Sequence, residues 1–375
     1  MSSIPPLESG KPEADRIVAM TPESDDRGFG NPAVQLFPTF AYPIDQGDVW
    51  RVLVQGRICQ DVPLSLAKRL MLRGFVRALD LDEPMARSPL FSERIHGFLV
   101  SPIPRHRIQV SVGDQAHVLR RKSKSSGLFA CKLDLPSRLL AGYRTYGQEP
   151  ASAQDTPDLH IRCDHGLVPT SSRVFLAQER GISVISDIDD TIKLTDVCSR
   201  RRMLRRTFSE PFESIQGMAS VYRDWEQQGV LFHYVSSSPW QIFDALHEFL
   251  LTEGFPLGSM HLKWFRLRDE IFKKWSIIRR KSKVGVIRGM IRRMPQRQFI
   301  LIGDSGEKDP EMYAKIAQRH PNQVVRICIR QIEENPIDAT RLSKIYRRYG
   351  VTVPIQVFQT AEQLASETLP RKSQG

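Results

Sequence analysis

The sequence predicts a two-domain α/β protein, in which a β-rich, sandwich-like module precedes a parallel sheet covered by helices. Three observations predict it. Between about Gly47 and Gln178 the apolar residues recur with period two and are punctuated by Gly, Pro and Asp. From about Gly181 apolar runs alternate with stretches of helical periodicity, the pattern of a sheet covered on both faces. The first of those runs, Ile182-Ser183-Val184-Ile185-Ser186, stops abruptly in acids at Asp187 and Asp189. That is how a buried strand delivers carboxylates to the rim of a sheet, where open α/β sheets bind their ligands.

Taken in order, residues 1–46 are rich in Pro, Ser, Gly and acids, and are expected to lack regular structure except near Phe37-Pro38-Thr39-Phe40. In the β-rich domain, residues 47–178, strands are expected at Trp50/Val52/Val54, Ile108/Val110/Val112, Phe129/Cys131/Leu133/Leu135 and Leu159/Ile161/Cys163. One helix is expected over 64–79. The basic run Arg120-Arg121-Lys122-Ser123-Lys124 reads as a hairpin tip. No catalytic constellation stands out here, so a binding or scaffolding role, including contact with a protein partner, is the expectation.

In residues 179–360, strands are expected at 182–186, 230–235, 298–302, 324–328 and 355–358, and helices at 218–228, 239–252, 283–294 and 310–320. Ser238-Pro239 and Asp309-Pro310 read as an N-cap followed by proline at the first helical position, and Gly229 and Gly254 as helix stops. Residues 361–375 are polar and expected to fray.

Composition narrows the class. The 375 residues are 41% hydrophobic, and no apolar run approaches the roughly 18 residues of a membrane span. The first twenty residues show no secretory h-region, so a cytoplasmic protein is expected. Five scattered cysteines without a C-x-x-C pair argue for reduced thiols and against zinc. Lys+Arg 54 against Asp+Glu 42 leaves a net charge of +12, which suits an anionic partner, nucleic acid or an acidic membrane surface.

The acids at Asp187 and Asp189 would repel one another unless a cation or shared proton sits between them, and Mg²⁺ suits an all-oxygen site holding a phosphate. Alone, the pair reads better as a solvated turn; the downstream strand ends change that. Ser236-Ser237-Ser238 follows a strand and precedes a helix, where a hydroxyl would bind a phosphoryl oxygen. Gly303-Asp304-Ser305-Gly306-Glu307-Lys308-Asp309 brings more carboxylates to another strand end. Lys283, between the two, would neutralise a phosphoryl group as a point charge.

The order D-x-D-x-T, strand-Ser, Lys, G-D-x-x-x-x-D resembles the haloacid dehalogenase superfamily of phosphotransferases, with its Rossmann-like parallel sheet. Within it, Ser186-Asp187-Ile188-Asp189-Asp190-Thr191-Ile192-Lys193, Phe232-His233-Tyr234-Val235-Ser236-Ser237-Ser238-Pro239-Trp240 and Gly303-Asp304-Ser305-Gly306-Glu307 look like the phosphatidate phosphatases of the fungal actin-patch type and their bacterial relatives. The lipin C-terminal domain is more distantly similar. The resemblance implies that Asp187 is the nucleophile, forming an aspartyl-phosphate, and that Asp189 protonates the leaving alcohol and then activates water. Such an acid needs a pKa nearer the working pH than a free Asp has. It further implies that Thr191 holds the loop and that Ser236 and Lys283 grip the phosphoryl oxygens. Asp304 would ligate Mg²⁺ together with Asp187 and the backbone carbonyl of Asp189. Ser237, where relatives often carry Asn, and Glu307 are candidates for the surrounding shell; Asp309 either orients the metal shell or caps a helix. Asp190 reads as a loop-structuring acid, and His233 as a core residue.

Two basic clusters, Arg200-Arg201-Arg202 with Arg205-Arg206 and Lys273-Lys274 with Arg279-Arg280-Lys281, lie near this motif set among aromatic residues. They tilt the expected partner toward an anionic phospholipid at a membrane surface, with peripheral attachment, and away from nucleic acid. The reaction expected is Mg²⁺-dependent hydrolysis of phosphatidate to diacylglycerol and phosphate. One rival is a phosphatase of the same chemistry on a soluble phosphomonoester or phosphoprotein. Another is a non-catalytic phosphatidate-binding module, disfavoured because both Asp187 and Asp189 are present.

Overall fold

The computed structural model describes residues 30–366 and 369, apart from 80, 82, 148–155, 165–167 and 264–275. Two sheets organise them. The first is one connected, mixed sheet of ten strands. It opens with β1 (Pro32–Leu36), β2 (Thr39–Ile44) and the long β3 (Val49–Gln60). Three helices follow, α1 (Leu66–Leu79), α2 (Glu83–Ala86) and α3 (Pro89–Leu99). The sheet resumes with β4 (Ser101–Pro102), β5 (Gln109–Val112), β6 (Gln115–Val118) and β7 (Leu128–Pro136). It closes with β8 (Thr145–Tyr146), β9 (Leu159–Cys163) and β10 (Thr170–Ala177). The main path runs β1-β3-β2-β10-β9-β5-β6, with β4 and β7 also on β3 and β8 on β10.

All four period-two runs are strands of this sheet, and their inward residues, among them Val52, Val54, Ile108, Val110, Phe129, Leu159 and Ile161, share one core. Alternation reports which face is buried but not pairing direction. The parallel contact of β2 with β10 was therefore not legible. β1 and β2 also fall inside the segment expected to lack regular structure: the PAVQL and TFAYPI runs pair along β3 and β10. Residues 1–29 of that segment lie outside the described residues. Helix α3 was not anticipated, although Ser88-Pro89 caps it, the serine hydroxyl accepting from the Phe91 N–H at 3.1 Å.

The second sheet is six-stranded and wholly parallel. Its strands are β11 (Gly181–Ser186), β12 (Leu231–Pro239), β13 (Ser259–Lys263), β14 (Arg297–Asp304), β15 (Val324–Arg330) and β16 (Ile355–Phe358). Between them run α4 (Arg200–Phe208), α5 (Met218–Gln227), α6 (Phe243–Thr252), α7 (Ser276–Arg293), α8 (Asp309–Arg319) and α9 (Ala339–Tyr349), and α10 (Ala361–Ala365) follows β16. Of these, β13, α4, α9 and α10 were not foreseen. α10 lies in the stretch expected to fray and is held by a capping box between Thr360 and Gln363.

The strand order is β13-β12-β11-β14-β15-β16. The chain moves outward from β11 through β12 to β13 and then returns to β14 on the other side. This makes the crevice between β11 and β14 the switch point of the sheet. Ile182, Val184, Phe232 and Ile300 are buried on one face and Ile185, Leu231, Phe299 and Leu301 on the other, which is why the strands read as continuous apolar runs.

Two helix starts differ from expectation. Pro239 ends β12, a single 3₁₀ turn intervenes at Trp240–Ile242, and α6 begins at Phe243, so Ser238 caps nothing. Asp309 is itself the first residue of α8; the cap position is Lys308, with no side-chain bond. Both polar side chains are drawn into the site instead. Gly229 and Gly254 do end their helices, at φ +84° and +70°.

Candidate active site

Asp187 follows the last residue of β11, its N–H bonded to the Ile302 carbonyl of β14 at 2.9 Å, and Asp304 is the last residue of β14. Adjacent parallel strands thus deliver two acids to the same crevice. Asp309 joins them from the first position of α8, and carboxylate oxygens of the three lie within 4.8 Å of one another, all buried. Gly303 makes this approach possible, because a Cβ there would stand 2.3 Å from Asp309 Oδ2. Lys283 reaches in from α7, donating to Asp309 Oδ1 and Oδ2 at 2.9 and 2.8 Å, with its Nζ 3.1 Å from Asp187 Oδ1.

The hydrogen bonding is lopsided. Among the described residues neither oxygen of Asp187 accepts a hydrogen bond, its one polar neighbour being the Lys283 ammonium, and Asp304 Oδ2 has no partner, although all are buried. Asp304 Oδ1 accepts only from the Glu307 N–H, at 2.9 Å. Burial, opposed by Lys283, pushes the Asp187 carboxyl well above its usual range. Burial together with Asp309 and Glu307 does the same to Asp304. Burial works against the Lys283 charge, but Asp187 and Asp309 outweigh it and hold the ammonium well above its ordinary pKa. Unpartnered, buried oxygens in an all-carboxylate set are the donors a hard divalent cation takes, so these residues fit a metal.

Asp189, two residues on, has the opposite environment. Its Oδ2 accepts from the Ser236 and Ser238 hydroxyls at 2.8 and 2.7 Å. Its Oδ1 accepts from Thr195 Oγ1 at 3.0 Å and lies 3.1 Å from Lys193 Nζ. Burial would raise this carboxyl, yet Lys193, Ser238 and Ser236 outweigh it and hold it well below the ordinary range. The resting structure therefore keeps Asp189 ionised, where a pKa nearer the working pH was expected. The chain leaves β11 at Ser186, and beyond it the two acids take different partners.

Asp190 builds the loop that separates them. At φ +53° it accepts backbone N–H groups from Thr195 and Asp196 on Oδ1 and from Val197 on Oδ2, and Arg330 donates to its carbonyl at 2.8 Å. Thr191 is buried beside it with an unpartnered hydroxyl. Ser237 and Glu307 are half-buried at the edges. His233 sits in the core, bonded to the Ser259 hydroxyl at 2.7 Å. Sequence reasoning missed Lys193, Thr195 and Ser238. Lys193 stood in the motif, but its role depends on a turn that returns it to Asp189, which no periodicity announces.

The first basic cluster is largely spent internally. Arg202 pairs with Glu334, Arg206 with Asp196 and Glu213, and Arg205 with Glu210. Lys273, Lys274 and the aromatic residues beside them lie outside the described residues.

Residues 182–331, which contain every one of these site residues, match the model of the phosphatidate phosphatase APP1 catalytic domain. That stretch is therefore similar to an APP1-type catalytic domain. The chain is 32% identical over 166 residues to an uncharacterized protein of Schizosaccharomyces pombe, covering 43% of this chain and 27% of that one. It is 30% identical over 245 residues to the phosphatidate phosphatase APP1 of Saccharomyces cerevisiae, covering 64% of this chain and 40% of the relative. The chain thus spans two fifths or less of the length of these curated relatives. The second match is longer than the APP1 domain itself, so the similarity extends beyond the parallel sheet.

Proposed function

We propose that the protein is a Mg²⁺-dependent phosphatidate phosphatase, hydrolysing phosphatidate to diacylglycerol and phosphate through an aspartyl-phosphate at Asp187. The observation that carries this reading is Asp187 itself: a buried carboxylate at the switch crevice whose oxygens accept no hydrogen bond among the described residues, paired only with the buried Lys283 ammonium. A carboxylate that is only structural would be saturated, as Asp190 is. Asp187, Asp304 and Asp309 would hold the Mg²⁺, together with the Asp189 carbonyl that the family resemblance adds. Bound there, the cation offsets the charge of the phosphate and of the clustered acids.

In this reading an Asp187 oxygen attacks phosphorus and the bond to the glycerol oxygen breaks, that oxygen taking a proton from Asp189. Water then attacks the aspartyl-phosphate, giving its proton to Asp189, and phosphate leaves as Asp187 is regenerated. The serines supply the switch this requires. A phosphoryl group entering the crevice competes for the hydroxyls of Ser236 and Ser238. Losing these donors raises the Asp189 pKa from its depressed resting value, in the direction a proton carrier needs. Lys283 stays charged throughout and faces the transferring group.

Among the described residues no helix is long and apolar enough to cross a membrane, so the reading is of a cytoplasmic enzyme that meets its lipid at a surface. The test is phosphate release from phosphatidate in mixed micelles with Mg²⁺ or EDTA, wild type against Asp187→Asn. Release should need the metal and fall by about 10³-fold or more in the variant. Release from a soluble phosphomonoester alone, with the same dependences, would keep the site and discard the lipid. No release from either substrate, with retained binding to phosphatidate vesicles, would leave a binding module.

A further inference from the structure

A cleft of about 1030 Å³ separates the outer face of β3 and β7 from α7, and the reading above makes no use of it. Its apolar surface is mostly aliphatic, with Leu53 from β3, Val118 at the end of β6, and Val286 and Met290 from α7, beside one aromatic residue, Phe40. Val118 is 56% exposed, unusual for a valine in a strand. Its charges are one-sided. Among the described residues, Arg120, Arg121, Lys132 and Arg293 line it together with Arg51, against one acid, Asp134. That acid is already neutralised by the Arg51 guanidinium, through two bonds of 2.7 Å. His261, also on the wall, adds no charge, because burial and Arg293 push it down to about 3.

The cationic edge is fixed in place. The run Arg120-Arg121-Lys122-Ser123-Lys124 links β6 to β7, and its Ser123 is buried. The Ser123 hydroxyl donates to the Ile103 carbonyl and accepts from the His106 N–H, both at 2.8 Å. The Ser123 N–H and carbonyl are bonded to His106 and Arg105. Arg120, Arg121, Lys122 and Lys124 are exposed around this anchor, and Arg121, Lys122 and Lys124 make no ion pair among the described residues. In α4, by contrast, Arg202, Arg205 and Arg206 are tied to acids.

The geometry points to a second lipid site: the cleft between β3/β7 and α7 takes one acidic phospholipid, its headgroup against the cations and an acyl chain along the aliphatic surface. Positive charge without acids selects an anion, and the aliphatic surface beneath selects an amphiphile over a free phosphate or a nucleic acid. The volume is of the size that drug-sized ligands occupy. The site bears on the proposed chemistry through α7, because Val286, Met290 and Arg293 face the cleft while Lys283, one turn before Val286, faces Asp187. A lipid seated there holds the helix that carries the Lys283 ammonium.

The test is co-sedimentation of the full chain with phosphatidylcholine vesicles, with and without phosphatidylglycerol. The latter is an anionic phosphodiester that offers Asp187 no monoester, so this result stands or falls separately from the phosphatase reading. Binding should require the anionic lipid. Arg120→Ser/Arg121→Ser should weaken it about 30-fold, two cations at roughly 1 kcal/mol each. Leu53→Gln/Val118→Ser should weaken it about tenfold from the lost aliphatic burial. Both variants should keep the wild-type melting temperature and the wild-type hydrolysis of a soluble phosphomonoester. Loss on the charge change with none on the aliphatic change would mean adsorption of a basic surface and overturn the cleft. Full competition by glycerol phosphate or by a single-stranded oligonucleotide would overturn the lipid, and no binding to anionic vesicles would overturn the site.

Discussion

Two of the buried cations in this molecule, Arg297 and Lys283, have surroundings that differ in kind. Arg297, at the start of β14, is wholly buried, and no acid among the described residues pairs with it. It donates instead to four carbonyls, those of Tyr146, Gln178, Arg180 and Ile182, and to the Ser183 hydroxyl, at 2.8 to 3.1 Å. Burial alone pushes it down to about 9, so it remains charged at neutral pH. Lys283 is held by the carboxylates of Asp309 and Asp187, and the acids around it keep oxygens that nothing satisfies. The first arrangement is closed; each donor has an acceptor, and its effect is to pin the end of the first sheet to the start of the second. The second is open. Saturation marks a junction, and deficit marks a place where something must bind.

Breaking the closed site should give the largest effect. Arg297→Ala leaves four buried carbonyls and a serine hydroxyl without their donor, and hydrogen bonds to charged groups are worth about 1.5–3 kcal/mol each. A loss of at least about 3 kcal/mol in the stability of the parallel-sheet half is expected from denaturant unfolding followed by tryptophan fluorescence. Arg297→Lys should rescue little, since an ammonium has three donors and no fork. An Arg297→Ala protein as stable as wild type would remove the contrast. At the open site the order reverses. Lys283→Met should lower kcat about 10²–10³-fold, the usual cost of removing a group that stabilises developing charge. It should change the unfolding midpoint less than Arg297→Ala does.

The contrast also shows what a sequence can carry. The acids and the lysine of the open site were legible because strand ends and motif spacing place them by topology, and β11, β12 and β14 formed where their apolar runs ended. Asp309 was ambiguous because Asp-Pro before a helix has two meanings, and only packing against Gly303 and Lys283 chose between them. The closed site was not legible at all. Arg297 stands at a strand start in a basic stretch, and its acceptors come from two separate regions of the chain, Tyr146 and residues 178–183. Backbone carbonyls leave no trace in residue identity. For the same reason Lys193 and Thr195 were missed, and β1 and all of β2 beyond Phe40 were taken for unstructured chain. Their partners are distant strands, and short strands without turn signals resemble loops.

Crowded carboxylates predict a pH response opposite in sign to the usual acid sensitivity. Asp187 and Asp304 have folded pKa values raised above the unfolded ones. Between those values the native state holds protons that the unfolded state has lost, so stability falls as pH rises from about 4. In EDTA the melting temperature should therefore decline from weakly acidic toward neutral pH, and Asp304→Asn should flatten the decline and raise the neutral-pH value. Saturating Mg²⁺ should stabilise the wild type, by about 2.7 kcal/mol at a hundred times Kd, and leave the variant nearly unmoved. A wild-type melting curve indifferent to both pH and metal would mean that the deficit around Lys283 is not a binding site.

The smallest effect sharpens the comparison inside the site itself, between Asp187, paired only with Lys283, and Asp189 with several donors. Ser238→Ala removes one hydroxyl from Asp189 Oδ2 and leaves that of Ser236 in place. The lost bond favoured the ionised form, so the Asp189 pKa must rise in the variant. The size should be about one pH unit, equivalent to a charge-assisted hydrogen bond worth about 1.5 kcal/mol. If Asp189 delivers the proton to the departing alcohol, kcat/KM falls at high pH as that proton is lost. The alkaline limb of the profile should then move to higher pH while the maximum changes only a few-fold. An alkaline limb shifted downward, or unmoved with activity reduced throughout, would mean that Ser238 serves the phosphate and that Asp189 is not the acid.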